Sequence, residues 1–294
     1  MGKNNYFSGW YYKQEKGNDI IAFIPSWYRT RWKCGAMIQV IAGKENRTFS
    51  FPAEMLQVCQ KRDKIRIGEN FFSPEGIKVN LRDDEGGSLA TVRGALRFTG
   101  KRPLSYDIMG PFALFPFLQC RHGVVSMSHR VEGRLEIDGT GFDLNGALGY
   151  VEKDRGSSFP SGYFWCHCGW EEEKACSLMA AAADIPFLGG CFKGCIAVLD
   201  YEGKQYRMAT YLGARILRHT HREIWLKQGA FDLLIQVKEE RKDSHPGLCL
   251  QAPLDGKMER TIRERPVCTL RVRFWKKGCL VADHTGTGSV EAEL

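Results

Sequence analysis

Apolar and polar side chains alternate along much of the chain with a period of two. In RVEGRLEID (130–138), Val131, Leu135 and Ile137 alternate with Arg130, Glu132, Arg134, Glu136 and Asp138. GIKVNLRD (76–83), FDLLIQVK (231–238) and CTLRVRFW (268–275) repeat the pattern. Strict alternation predicts strands with one buried and one solvated face. Turn signals separate the strands at short spacing: Gly43-Lys44, Asp83-Asp84-Glu85-Gly86-Gly87, Asp138-Gly139 and Tyr201-Glu202-Gly203-Lys204. The best helical candidate, an Ala-rich stretch around 174–184, is short and fits a strand equally well. The pattern therefore predicts an all-β protein of antiparallel meanders closing into barrels or sandwiches.

Roughly 20 strands are too many for one small barrel, because eight strands already take about 150 residues. Two barrel-like halves, 1–140 and 141–294, are the expected division, with the boundary at the hairpin signal near Asp138–Gly141. No linker rich in Pro, Gly or Ser intervenes, so the halves are expected to pack tightly. No internal repeat is visible between them.

Composition narrows the function classes. The formal net charge is +8, but no run of five or six like charges occurs, so no nucleic-acid partner is expected. The short basic clusters Arg29, Arg31, Lys33 and Lys101, Arg102 read as solvated faces that could also touch an anionic membrane surface. A polar stretch follows Met1, and no window approaches the ~18 apolar residues of a spanning helix. The longest apolar patch, IMGPFALFPFLQC (108–120), is broken by Pro111 and Pro116. A cytoplasmic protein, with peripheral membrane contact as an option, is the expectation. The 11 cysteines favour free thiols. There is no CxxC pair, and alternation would point Cys166 and Cys168 away from His167, so no metal site or other cofactor is expected.

Gly-rich phosphate loops, GxSxG, HExxH and kinase motifs are all missing from the sequence. Three dense stretches remain: FSGWYYK (7–13), IMGPFALFPFLQCRHGVVSMSH (108–129) and GYVEKDRGSSFPSGYFW (149–165). As a strand, 149–154 puts Tyr150, Glu152 and Asp154 on one face and Gly149, Val151 and Lys153 on the other. Two carboxylates on one face repel each other, which favours a proton on one of them and makes it an acid. The alternative is a rim position where Glu152 and Asp154 pair with Lys153, Arg155 or an arginine of a neighbouring strand.

Taken together, GWYYK, AFIPSW, MGPFALFPFLQCRHGVVSMSH, GYVEKDRGSSFP, AAADIPFLGGCFKGCIAVLDYEGKQYRMATYLGA and LQAPLDGKM closely resemble the tocopherol cyclase family, in order and over nearly the whole chain. The resemblance implies two lipocalin-like β-barrels related to carotenoid 1,2-hydratase. It also implies an isomerase of the intramolecular-lyase type that cyclises a prenylated hydroquinone to a chromanol. Such a reaction needs an acid to protonate a trisubstituted alkene and a phenol oxygen to capture the tertiary cation. It also needs water kept out. Asp154 or Glu152 would be the proton donor, tuned by Lys153 or His122. Trp10, Tyr11, Tyr150, Phe164 and Trp165 would line a barrel mouth, each aromatic face stabilising the cation by about 0.5–2 kcal/mol. His122 and His129 could instead bind the phenol. The sequence departs from the family pattern at Ser8, where an acid usually precedes Gly-Trp, and at Arg155, where a Trp is usual. It departs again at His167 and Gly169, where amides are usual. The second reading is a non-catalytic lipocalin-like carrier of a lipophilic small molecule, with an anionic head held by Lys153 and Arg155. The MGPFALFPF stretch would serve as a lid or a membrane-contacting lip, or would pack in the core.

Overall fold

The computed structural model describes residues 5–17, 19–83, 90–115, 118–187, 189–238 and 247–294. The turn signal at 84–87 and Pro116 of the apolar patch lie outside them.

Two large antiparallel sheets hold 22 strands among the described residues. The first sheet comprises β1 (Tyr6–Lys16), β2 (Asp19–Arg29), β3 (Cys34–Ala42), β4 (Glu45–Phe51), β5 (Leu56–Cys59), β6 (Lys64–Ile67), β7 (Asn70–Ser73), β8 (Gly76–Arg82), β9 (Thr91–Thr99), β10 (Cys120–Ile137), β11 (Thr140–Asp143) and β12 (Ala147–Gly156). Its strand order is β4-β3-β2-β1-β12-β10-β9-β8-β7-β6-β5, with β11 paired to β10. The second sheet comprises β13 (Tyr163–Glu171), β14 (Ala175–Phe187), β15 (Gly190–Tyr201), β16 (Lys204–Ala209), β17 (Arg215–Thr220), β18 (Glu223–Gln228), β19 (Phe231–Lys238), β20 (Leu248–Leu254), β21 (Lys257–Lys276) and β22 (Cys279–Glu293). Here the order is β16-β15-β14-β13-β22-β21-β19-β18-β17, with β20 paired to β21.

The all-β expectation agrees with this architecture, and the Ala-rich 174–184 stretch is strand β14. Closed barrels do not form. No ladder joins β4 to β5 or β16 to β17 among the described residues, so each sheet is open. The reason is local. In each sheet the two edge strands follow one another in sequence and are joined by a 3-10 turn, Ala53–Met55 in the first and Thr210–Leu212 in the second. The chain itself crosses the seam, and Pro52, which has no N–H to give, starts the first crossing.

The period-two pattern builds both cores. Ile77, Val79 and Leu81 of β8 and Val131, Leu135 and Ile137 of β10 pack with Tyr12, Phe23 and Phe72 in the first. Leu233, Ile235, Leu270, Val272 and Phe274 do so in the second. Each fully buried side chain of this size contributes about 1.5–3 kcal/mol. The alternation of β10 skips position 133 because Gly133, at φ 131°, lies so close to β9 that a Cβ would collide with the Ala95 carbonyl oxygen.

The chain divides elsewhere than at 138–141. The first compact unit takes Met1–Ser105, Cys120–Phe159 and Leu250–Thr261; the second takes Tyr106–Gln119, Pro160–Cys249 and Ile262–Leu294. β12 belongs with the first unit because it is hydrogen-bonded between β1 and β10. Residues 250–261 belong there too. The Gln39 side chain donates to the Gln251 carbonyl at 2.9 Å and accepts from its N–H at 2.7 Å.

None of the eleven cysteines is in a disulfide among the described residues. Cys166 and Cys168 share the second core while His167 faces the other way, its Nε2 3.2 Å from Ser177 Oγ. No helix of the described residues is long and apolar enough to cross a membrane.

Candidate active site

The site is built on β12, a central strand with a neighbour on either side. Alternation separates its charges. Val151 packs into the first core, as do Trp10 and Tyr12 of β1. Tyr150, Glu152 and Asp154 occupy the opposite face. The ladders bring Lys13, Tyr11 and Gly9 of β1 opposite Tyr150, Glu152 and Asp154, in that order. On the other side, β10 places Val124 opposite Glu152 and His122 opposite Asp154. A bulge after Val124 shifts the register of the rest of β10.

These residues form a connected chain of polar groups. Tyr150 Oη donates to Glu152 Oε2 at 2.5 Å. His122 Nε2 lies 3.5 Å from the same oxygen, and His122 Nδ1 lies 3.1 Å from Asp154 Oδ1. Cys120 Sγ donates to Asp154 Oδ1 at 3.6 Å. One imidazole therefore faces a carboxylate on each side. Tyr150 is fully buried and Glu152 is 6% exposed. The Asp154 side chain is more open, at 20%. Burial, followed by the negative Glu152, pushes the Tyr150 phenol well above its ordinary range. Burial also raises the Cys120 thiol, with Asp154 adding to the effect. Both groups hold their protons near neutrality and act as donors to the carboxylates.

His122, Glu152 and Asp154 also offer ligand atoms that all lie within 4.8 Å of one another, so the trio could embrace a small cation. No metal ligand is expected from the sequence alone. One histidine and two carboxylates match the donor set of a divalent ion.

The other expected site residues are distributed differently. Lys153 and Arg155 lie on the face opposite Asp154. Lys153 Nζ pairs with Asp63 Oδ1 at 2.6 Å, and Arg155 is exposed. Their side chains therefore lie away from the face that carries Glu152 and Asp154. Trp10 belongs to the first core, with its indole N–H unpaired among the described residues. Tyr11 stays with the site as the neighbour of Glu152. His129 lies further along β10, opposite Gly149, beside Ser126 and 4.3 Å from the Phe98 ring, where it is a core group. Burial, with Lys101 adding to it, lowers its pKa to about 3.

Phe164, Trp165 and His167 belong to the second unit. Phe164 fills its core, whereas Trp165 and His167 are buried on the opposite face of β13. Two further residues join this neighbourhood. Cys120 extends the polar chain beyond Asp154. Lys13, 1% exposed and 3.0 Å from Glu15, shares the ladder position of Tyr150. The i, i+2 spacing of Gly9, Tyr11 and Lys13 was the signal for Lys13. The same spacing links Cys120 to His122 within the dense 108–129 stretch.

A family described as tocopherol cyclase-like matches residues 98–293. A rice protein (Oryza sativa subsp. japonica) named "Probable tocopherol cyclase, chloroplastic" is 25% identical over 175 residues, 57% of this chain and 37% of that relative. The match thus spans little more than a third of the relative's length. Among solved structures, CghA is similar with a TM-score of 0.59 at 11% identity, covering 99% of this chain and 88% of that one. A putative AttH from Nitrosomonas europaea gives 0.52 at 10% identity, covering 99% and 92%. Kievitone hydratase from Nectria haematococca gives 0.50 at 12% identity, covering 98% and 88%. These likenesses concern the fold alone.

Proposed function

The chain belongs to the tocopherol cyclase-like family, and from that premise we propose that it protonates the trisubstituted alkene of a prenylated phenol or hydroquinone and closes a chromanol-type ring. The observation that carries this reading is the imidazole of His122 held between Asp154 and Glu152.

The chemistry has two proton events. A proton adds to the alkene carbon nearer the aromatic ring, leaving a tertiary cation on its neighbour. The phenol oxygen forms the new C–O bond and loses its own proton. The sum is an isomerisation, so the site must give one proton and take one back. A carboxylic acid and a carboxylate joined through one imidazole meet that demand, because the histidine can return the recovered proton to the acid. Asp154, the more open carboxyl, is the donor. Glu152, tied to Tyr150, is the inner acceptor. Tyr11 stands beside Glu152 as an aromatic neighbour for the developing charge.

The test is incubation of the purified protein with a prenylated hydroquinone in D2O. One deuterium per ring, on the carbon next to the new ether carbon, is the expected product. Loss of product in Asp154→Asn and Glu152→Gln would support the relay, and full activity in Asp154→Asn would overturn it. Added Zn2+ is expected to inhibit by engaging His122, Glu152 and Asp154, and a chelator should reverse this. A requirement for the metal would replace the relay with a metal-assisted route.

The second reading, a carrier of a lipophilic molecule, rests on the family's lipocalin-like resemblance. Retention of a prenyl lipid through purification, with no turnover in the D2O assay, would favour it.

A further inference from the structure

We propose that the β2–β3 hairpin of the first unit docks on an anionic lipid surface, with Trp32 inserted at the level of the headgroups. Trp32 is 83% exposed at the hairpin tip. An exposed indole is costly in water and favourable where one edge is wet and the other apolar. The tip is also firmly built. Thr30 Oγ1 accepts from the Trp32 N–H at 3.2 Å and the Lys33 N–H at 2.9 Å, and it donates to the Lys33 carbonyl at 3.0 Å. Thr30 N–H reaches that carbonyl at 2.7 Å. The Arg31 guanidinium lies 4.6 Å from the indole centroid. The indole is therefore presented on an ordered turn rather than on a loose loop, which lowers the ordering cost of insertion.

Charge identifies the partner. Arg29, Arg31 and Lys33 are exposed around the indole, and none makes an ion pair among the described residues. The turn carrying Lys61 and Arg62 lies at the same end of the sheet. Gln60 Nε2 reaches Tyr6 Oη at 3.4 Å, and Tyr6 faces Arg29 across the β1–β2 ladder. Met55, half exposed, sits on the 3-10 turn after β4, whose Phe51 faces Ala36 of β3. Asp63, next to Lys61 and Arg62 in sequence, is engaged by Lys153, and Asp154 of β12 is held by His122. Cations surrounding one protruding indole fit a negatively charged bilayer. A phosphate backbone would be met by a groove of cations, and a single convex tip does not provide one.

This inference is independent of the proton relay. Its experiment is flotation of the full chain with phosphatidylcholine vesicles, with and without one-third phosphatidylglycerol, at low salt. Binding only to the phosphatidylglycerol vesicles, weakened by added salt, is expected. Trp32→Ala should lower the partition coefficient about tenfold. Arg31→Gln/Lys33→Gln should lower it about fivefold per charge removed. Brominated lipid chains should quench the wild-type fluorescence more than that of Trp32→Ala. Matching thermal unfolding curves would show that the variants are folded. Failure of the wild-type protein to bind the anionic vesicles would overturn the proposal. Wild-type binding by the variants would do the same. Preference for duplex DNA over these vesicles, insensitive to Trp32→Ala, would assign the cations to a nucleic acid instead.

Discussion

The two sheets share one plan, and one of them places a histidine between two carboxylates. In each, four consecutive strands run from one edge to the centre, and the last strand of the set closes against the first of them. β12 pairs with β1 in the first sheet, and β22 pairs with β13 in the second. Each closing strand carries a glutamate that accepts from a tyrosine: Glu152 from Tyr150 at 2.5 Å, and Glu291 from Tyr163 at 2.7 Å. The difference lies in the next strand over. β10 brings His122 between Glu152 and Asp154, whereas β21 brings Glu264, fully buried, opposite Glu291. In the first sheet the neighbouring strand supplies an imidazole beside two carboxylates, and in the second it supplies another carboxyl group beside one. The site thus depends on the register of one neighbouring strand.

The largest expected effect tests that difference directly. Asp154→Asn and Glu152→Gln should each lower the deuterium-incorporating cyclisation by about 100-fold or more, the usual size for a lost general acid or base. Tyr163→Phe in the second sheet should stay within about twofold on the same assay. An equal loss there would break the comparison.

The histidines sharpen it by pH. His129 has its pKa lowered to about 3 from an ordinary 6.5, so the folded protein keeps it neutral where the unfolded chain protonates. Its contribution is complete above pH 6.5 and is lost as the pH falls toward 3, at up to about 1.4 kcal/mol per pH unit. Urea unfolding between pH 7 and pH 4 should therefore show a shallower slope in His129→Gln than in the wild type. His284 of the second sheet, stacked on Trp170 at 4.4 Å, is lowered by burial as well, and its NMR titration should lie above that of His129.

A smaller effect is expected at Gly149. A Cβ there would run into the His129 ring, so Gly149→Ala should cost about 1–3 kcal/mol in thermal unfolding. His129→Ala in the same chain should recover part of it. The smallest effect is expected at Lys153. Its pair with Asp63 is partly exposed, and Lys153→Met should cost less than about 1 kcal/mol while leaving the cyclisation rate nearly unchanged. A large loss of activity would place Lys153 in the site after all.

Strand positions, turn positions and free thiols were legible because each follows from local rules. Alternation marks β8, β10, β19 and β21, and Asp138-Gly139 and Glu202-Gly203 are turns with positive φ. The same alternation also placed Tyr150, Glu152 and Asp154 on one face. Applied through to Trp10 and Tyr11, it would have kept only the tyrosine at the site, and applied to Lys153 and Arg155 it would have removed both. His122 and Cys120 became partners of Asp154 through pairing between strands more than 30 positions apart.

The sequence by itself determined the class of fold, the faces of β12 and the resemblance to a family, because each depends on neighbours in the chain. The tertiary structure alone decided where the units divide, that the sheets stay open, and that an imidazole stands between two carboxylates. Those outcomes depend on ladder order and register, and backbone hydrogen bonds between distant strands set both without leaving a mark on any short stretch of residues.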